Sequence, residues 1–324
     1  MRLLVSIPCL NEAETIGAVI DRIPRAMPGV AAVDVLVVDD GSTDTSSTAA
    51  EAHGARVLRH GRNLGVGASF QTALRHAVAC GYDLLVTIDA DGQFAPEDIA
   101  KLVTPITKGD ADFVTGSRFI EGAPPRNIPP LKLWGNARMS DLVSRLTGLT
   151  FRDVSCGFRA YSREAMLHLN LHGVFTYTQE TFLQLSFKNL RIVELPVAVE
   201  YFPGRVSRVA QSIPKYALKT LSIILMVYRD YRPIRFFWTL AVGFLVLGAS
   251  IASIMLVHYV RTGMFYGQLW AGFTGGFLLL VGFVFLILGI IADMLERIRQ
   301  NQERILYHLK KREADGGRAS GSAP

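Results

Sequence analysis

Residues 84–98 read LLVTIDADGQFAPED. The run Leu84-Leu85-Val86-Thr87-Ile88 has the length and apolar, β-branched character of a buried strand. The polar residues that follow carry it straight into the start of a helix near Pro96. The same succession recurs around it. Further strands are predicted over Leu3–Ile7, Val33–Asp39, Ala55–Leu58 and Phe113–Gly116, with helices near Glu12–Ile23, Thr43–His53, Val66–Cys80 and Pro96–Thr107. This alternation implies βαβ units and a mainly parallel α/β sheet flanked by helices. Ligands of such sheets bind at the carboxyl ends of the strands. The polar clusters fall there: Asn11-Glu12 after the first strand, Asp39-Asp40-Gly41-Ser42 after the second, and Asp89-Ala90-Asp91 after the fourth.

In an extended segment, residues two apart point the same way, so Asp89 and Asp91 project together. Two adjacent carboxylates repel unless a cation lies between them or one is protonated. Oxygen ligands suit Mg²⁺ or Mn²⁺, which take one or two carboxylates and share substrate phosphates and water. Gln93 offers a third, neutral oxygen. The bland alternative is a turn whose aspartates cap the next helix. VVDDGSTD (37–44) presents a second acidic pair, either a capped turn or a carboxylate that hydrogen-bonds a nucleoside. NLGVGAS (63–69) has glycines that let the backbone approach a phosphate at a helix start. It matches neither GxGxxG nor a P-loop.

The net charge of +6 suggests an anionic partner. Three cysteines without CxxC spacing indicate a reducing compartment, with no disulfide framework or zinc site. The first eight residues are too short and too soon polar for a signal peptide. Uncharged apolar runs at 236–257 and 269–292 are each long enough to cross a bilayer. Arg205, Arg208, Lys215, Lys219, Arg229, Arg232 and Arg235 precede the first, and Arg297, Arg299, Arg304, Lys310, Lys311 and Arg312 follow the second. The positive-inside rule therefore predicts cytoplasmic ends and a short outer loop. Ile128–Leu146 and Ser212–Tyr228 are apolar with basic residues, the pattern of core-facing helices or of helices at a bilayer surface. The segment from Gly316 is predicted to be disordered.

The ordered set SIPCLNEAETI, VVDDGSTDTS, NLGVGAS, TIDADGQFAPEDI, GSRF and DVSCGFRAYSRE resembles family-two glycosyltransferases of GT-A fold, and within them the polyprenyl-phosphate glycosyltransferases. The likeness covers about residues 3–210. It implies that Pro8, Asn11, Glu12, Asp39 or Asp40, Gly65 and Asp89 bind a GDP- or UDP-sugar donor. It further implies that Asp89, Asp91 and Gln93 hold Mg²⁺ or Mn²⁺. Arg118 would face the acceptor phosphate, with Asp91, Arg118 and Asp153 as the catalytic set and Gly157-Phe158-Arg159 shaping the sugar end. Lys132 and Gly135 stand where many relatives have arginine and serine. In PGRVSR, Ser207 and Arg208 match a later phosphate-binding pattern while Arg205 replaces a glycine. No QxxRW motif is present, which argues against a processive polysaccharide synthase.

The expected organisation is a catalytic domain over 1–210 that includes an interface helix at about 129–146. A juxtamembrane amphipathic helix over 211–235, spans at 236–257 and 269–292, and a basic cytoplasmic tail over 293–324 follow. The expected partners are a nucleotide sugar, polyprenyl phosphate and membrane lipid, with no nucleic acid, and a homo-oligomer is compatible with the sequence. A lipid phosphate is largely ionised at neutral pH and needs no general base. A hydroxyl acceptor needs one, and Asp153 and Glu180 are the candidates. A non-catalytic nucleotide-binding scaffold is the third reading, against which the intact Asp89 and Asp91 speak.

Overall fold

Short β-branched runs separated by amphipathic stretches fold into one sheet covered by helices. The computed structural model describes residues 1–120, 130–171, 177–200 and 213–320, without the side chains of 130–132, 213–217, 219, 319 and 320. Seven strands, β1 (Arg2–Cys9), β2 (Ala32–Asp39), β3 (Arg56–Arg59), β4 (Leu84–Thr87), β5 (Phe113–Ser117), β6 (Arg159–Ser162) and β7 (Ile192–Pro196), lie in the order β3-β2-β1-β4-β6-β5-β7. All neighbouring pairs are parallel except those made by β6, which runs antiparallel to β4 and β5. The crossovers run outward from β1 to β2 and β3, then return to β4 on its other side. That reversal opens a crevice at the carboxyl ends of β1 and β4.

The helices of this part are α1 (Ile16–Asp21), α2 (Ser46–Ala52), α3 (Val66–Ala79), α4 (Ile99–Thr107) after a 3-10 turn Pro96–Asp98, α5 (Pro130–Thr147), α6 (Arg163–His168) and α7 (Thr178–Phe187). The central strands are buried on both faces and therefore read as continuous apolar runs. Leu3, Val5, Ile7, Ile20, Val37, Val86 and Leu102 belong to one core, each contributing about 1.5–3 kcal/mol by burial.

The chain divides into two compact units, Met1–Ile224 with Ile305–Pro324, and Leu225–Arg304. α8 (Ile213–Tyr231) and α10 (Leu269–Ser320) each run through the boundary, and α9 (Pro233–Thr262) lies in the second unit. In the first unit the last turns of α10 dock on α6. Lys310 Nζ donates to Leu169 O at 2.7 Å, and Arg163 pairs with Asp315 at 2.5 Å. The disorder expected from Gly316 is thus not found through Ser320: the segment continues the helix, and Gly317 lies against the Ala79 carbonyl.

In the second unit α9 and the start of α10 are long and apolar enough to cross a membrane. They pack backbone to backbone through glycines. A Cβ on Gly275 would lie 2.6 Å from Ala252 N, and one on Gly282 would lie 2.7 Å from Leu245 Cγ. Gly275, Gly282 and Gly289 recur every seven residues, the spacing of a helix–helix seam built from small residues.

Candidate active site

The loops after β1, β2 and β4 meet in the crevice because those strands are neighbours. Between the first two loops, Asn11 adopts a left-handed backbone (φ 52) that turns the chain sharply out of β1. Its N–H donates to Ser42 Oγ at 2.9 Å, and its Oδ1 accepts from Thr43 N at 2.8 Å. Glu12 N donates to Ser46 Oγ at 2.8 Å. Pro8 is half-buried in β1, in register with Val38. The two loops are therefore clipped together by side chains that the motifs SIPCLNE and DDGSTD supply.

Asp39 is fully buried. Its Oδ1 accepts from Ser42 N at 2.7 Å, its Oδ2 accepts from Ser47 Oγ, and Arg59 Nε lies 3.5 Å away. Burial alone would raise this carboxyl. The hydrogen bonds from Ser42 and Ser47, with the Arg59 charge, outweigh it and hold Asp39 below the usual range. Asp40 accepts from Leu64 N at 2.9 Å, Gly65 N at 2.8 Å and the His60 ring at 2.8 Å. Its oxygens tie β2 to the start of α3. The Gly65 amide is spent there, so the donors left for a diphosphate at this helix start are the next first-turn amides, Val66 and Gly67.

Asp89 and Asp91 sit beyond the end of β4. The expected extended geometry is replaced by a turn at Ala90–Asp91, in which Gln93 N donates to Asp91 Oδ1 at 3.0 Å. The Gln93 carbonyl accepts from Glu200 N at 2.9 Å, so its backbone is anchored from the next layer. Asp89 accepts no hydrogen bond among the described residues. Burial and the Asp91 charge push its carboxyl up to about 7, against the opposing pull of Arg118 and Arg159. A carboxyl poised this way fits a divalent cation in chemistry: a hard anionic oxygen donor beside a second carboxylate of like charge. Among the described residues no group of three or more His, Cys, Asp or Glu could hold a metal.

On the far side Arg118 and Asp153 form a buried fork. Nε donates to Oδ2 at 2.6 Å and Nη2 to Oδ1 at 2.8 Å, with Nη2 also reaching Ser155 Oγ at 2.8 Å. Burial raises the Asp153 carboxyl, but the Arg118 charge and hydrogen bonds, with the amides of Arg118 and Ser155, bring it below the usual range. Behind it, Glu194 accepts from Asp153 N at 3.0 Å, and Ser155 donates to Asn136 Oδ1 at 2.5 Å. Glu180 is not the surface acid that its helix suggests. It is 2% exposed and accepts from Gln184 Nε2 at 3.0 Å.

The structure thus brings Asn11, Glu12, Asp39, Asp40, Gly65, Asp89, Asp91 and Gln93 to neighbouring strand ends, with Asp153 bound to Arg118. The Lys132 side chain and Arg205, Ser207 and Arg208 lie outside the described residues. Sequence reasoning did not single out Ser47, Arg59, His60, Asn136, Ser155 or Glu194. Each acts through a partner distant in the chain, and only Ser42 and Asp44, inside the DDGSTD motif, carried a local signal.

A family model described as Glycosyl transferase family 2 matches residues 4–169. The chain is 31% identical over 206 residues to polyprenol monophosphomannose synthase of Mycolicibacterium smegmatis, covering 60% of this chain and 76% of that protein. It is also 31% identical over 222 residues to UDP-N-acetylglucosamine–dolichyl-phosphate N-acetylglucosaminyltransferase of Methanococcus voltae, covering 62% and 87%. The crystal structure of glucosyl-3-phosphoglycerate synthase from Mycobacterium tuberculosis, in complex with Mn²⁺, UDP-glucose and phosphoglyceric acid, matches with a TM-score of 0.53 at 23% identity, over 70% of this chain and 79% of that one. At that identity the likeness is one of fold.

Proposed function

The chain belongs to glycosyl transferase family 2, and from that premise we propose that it transfers one sugar from a nucleotide diphosphate donor to a polyprenyl phosphate, with inversion, at the cytoplasmic face of a membrane. The observation that carries this reading is the pairing of two carboxylates of like charge, Asp89 and Asp91, at the end of β4, in a site whose two candidate bases are both engaged. Asp153 is bound to Arg118 and held ionised, and Glu180 is buried against Gln184. Neither is placed to take a proton from a hydroxyl acceptor. A phosphate acceptor, with its second pKa near about 6, arrives already deprotonated.

Asp89 and Asp91, with the Gln93 amide oxygen, are the residues that would hold Mg²⁺ or Mn²⁺, which neutralises the charge of a departing nucleoside diphosphate. The clipped loops of Asn11-Glu12 and Asp39-Asp40 form the wall for the nucleoside, beside Pro8. Arg118, oriented by Asp153 and Ser155, is the candidate cation for the acceptor phosphate. Lys132, Arg205, Ser207 and Arg208 are further candidates for the acceptor phosphate. The two relatives act on polyprenyl or dolichyl phosphates with different sugars, which supports the acceptor class and leaves the sugar open.

Two apolar helices with arginines before the first and after the second support a hairpin anchor with both ends cytoplasmic. α5 exposes Trp134, Arg138 and Arg145 along one stripe, which supports its lying at the bilayer surface. The test is to incubate the purified full chain with polyprenyl phosphate, Mn²⁺ or Mg²⁺ and a panel of labelled GDP- and UDP-sugars. Labelled lipid phosphate should form and vanish with chelator. Transfer confined to hydroxyl-bearing lipids would overturn the acceptor, and transfer undiminished by chelator would overturn the metal.

A further inference from the structure

Arg159, at the start of β6, is completely buried. Its guanidinium donates to three backbone carbonyls: Nε to Cys156 O at 2.7 Å, Nη1 to Thr178 O at 2.9 Å and Nη2 to Val154 O at 3.1 Å. Ring faces surround it, with the Phe182, Phe113 and Tyr177 centroids 4.9, 5.6 and 5.7 Å from Cζ. No carboxylate lies within ion-pair distance of it among the described residues. Arginine does not shed its proton in a protein, and a buried ion without a counter-charge costs several kcal/mol. Carbonyl dipoles and aromatic faces offset part of that cost. An apolar side chain of the same length would fill the space without it.

The turn that Arg159 grips leads to the carboxylate pair. Arg159 holds the Cys156 carbonyl, and Thr87 Oγ1, two residues before Asp89, donates to the next one, Gly157 O, at 2.7 Å. A Cβ on Gly157 would lie 3.2 Å from both Oδ1 and Oδ2 of Asp89. The glycine backbone is therefore the wall against which that carboxylate rests.

We propose that Arg159 and Gly157 are positioning residues for Asp89: the guanidinium fixes the Cys156–Gly157 turn, and the bare glycine seats the carboxylate for a divalent cation. The inference rests on the reading of Asp89 as a metal ligand. Both act through the orientation of Asp89, as groups behind metal ligands do when their loss weakens metal affinity about 10- to 100-fold.

The test measures Mn²⁺ binding to the full chain by electron paramagnetic resonance, with UDP and with GDP present, alongside the metal-free melting temperature. The wild type should bind, and Asp89→Ala should not. Arg159→Met should weaken binding about 10- to 100-fold, and Arg159→Lys should recover part of it by restoring a donor to the carbonyls without the fork. Gly157→Ala keeps the arginine and should weaken Mn²⁺ binding while the metal-free melting temperature stays near that of the wild type. It carries the test if Arg159→Met does not fold. Wild-type binding that Asp89→Ala abolishes, with Gly157→Ala and any folded Arg159 variant binding as the wild type does, overturns this inference alone. A wild type that binds no Mn²⁺, or an Asp89→Ala that binds equally, overturns the reading of Asp89 and the inference with it.

Discussion

Two acidic pairs stand at the ends of neighbouring parts of one sheet, Asp39-Asp40 after β2 and Asp89-Ala90-Asp91 after β4. Their sequence idiom is nearly the same: an apolar strand, two aspartates, a glycine. Their electrostatics are opposite. The first pair takes hydrogen bonds from Ser42, Ser47, Leu64, Gly65 and His60, and Asp39 is held below its ordinary range. In the second, Asp89 takes no hydrogen bond from the described residues and is raised to about 7. A carboxylate whose oxygens are spent organises the loops around it. One that accepts no hydrogen bond among the described residues, beside a like charge, is the one we propose to hold a ligand from solution.

Asp91→Ala tests that contrast most severely. Transfer should fall about 10²- to 10³-fold, the scale on which loss of one electrostatic stabiliser acts. The metal-free melting temperature should change little, since losing the bond from Gln93 N is offset by removing the repelling neighbour of Asp89. A large fall in melting temperature with little change in rate would put Asp91 in the loop-holding class instead. Asp40→Ala should do the reverse. It strips the acceptor from two amides and a half-buried histidine ring, and an unsatisfied buried group costs about 1–3 kcal/mol, less where water reaches it as at Leu64. Denaturant unfolding should register a loss of about 2–3 kcal/mol, and an unchanged midpoint would break the assignment.

Much of this was legible before any coordinates. The strands β1 to β5 fall within a residue or two of their sequence ranges because apolar, β-branched runs bounded by turn formers have few alternatives. β6 was not read, since four residues that include a charged Arg159 give no strand signal. Its burial comes from carbonyls and rings supplied by distant segments. α7 failed for a related reason: Thr178, Gln179, Glu180, Thr181 and Gln184 mark a surface helix by composition, yet all are buried. Among site residues, the aspartates announced themselves by spacing. That Asp153 serves Arg118, 35 residues away, is a fact of the fold that no local pattern carries.

The raised carboxyl of Asp89 sharpens the comparison through pH. A cation bound at Asp89, as proposed, would displace the proton that this carboxyl holds below about pH 7. Mn²⁺ affinity of the full chain should therefore weaken as pH falls below that value, by up to about tenfold per unit for one competing proton. Affinity that stays flat from about pH 8 to about pH 5.5 would mean that Asp89 is already ionised throughout, as Asp39 is.

The smallest effect separates the groups that hold Asp39 down. Its folded-state pKa lies below the ordinary value of 3.8, so its stabilisation is present above that pH and is lost as pH falls through the folded value. Burial opposes ionisation, and the bonds from Ser42 and Ser47 outweigh it ahead of the Arg59 charge. The Arg59 side chain is 58% exposed and 3.5 Å from the carboxylate, so solvent screens it and its worth is about 0–1 kcal/mol. Ser47→Ala should therefore move the acid-unfolding limb to higher pH, while Arg59→Ala should leave it nearly in place. The reverse order would mean that the charge, rather than the hydroxyl, satisfies this pair. Asp39 would then depend on a solvent-screened partner, and the line drawn between the two acidic pairs would blur at its most buried member.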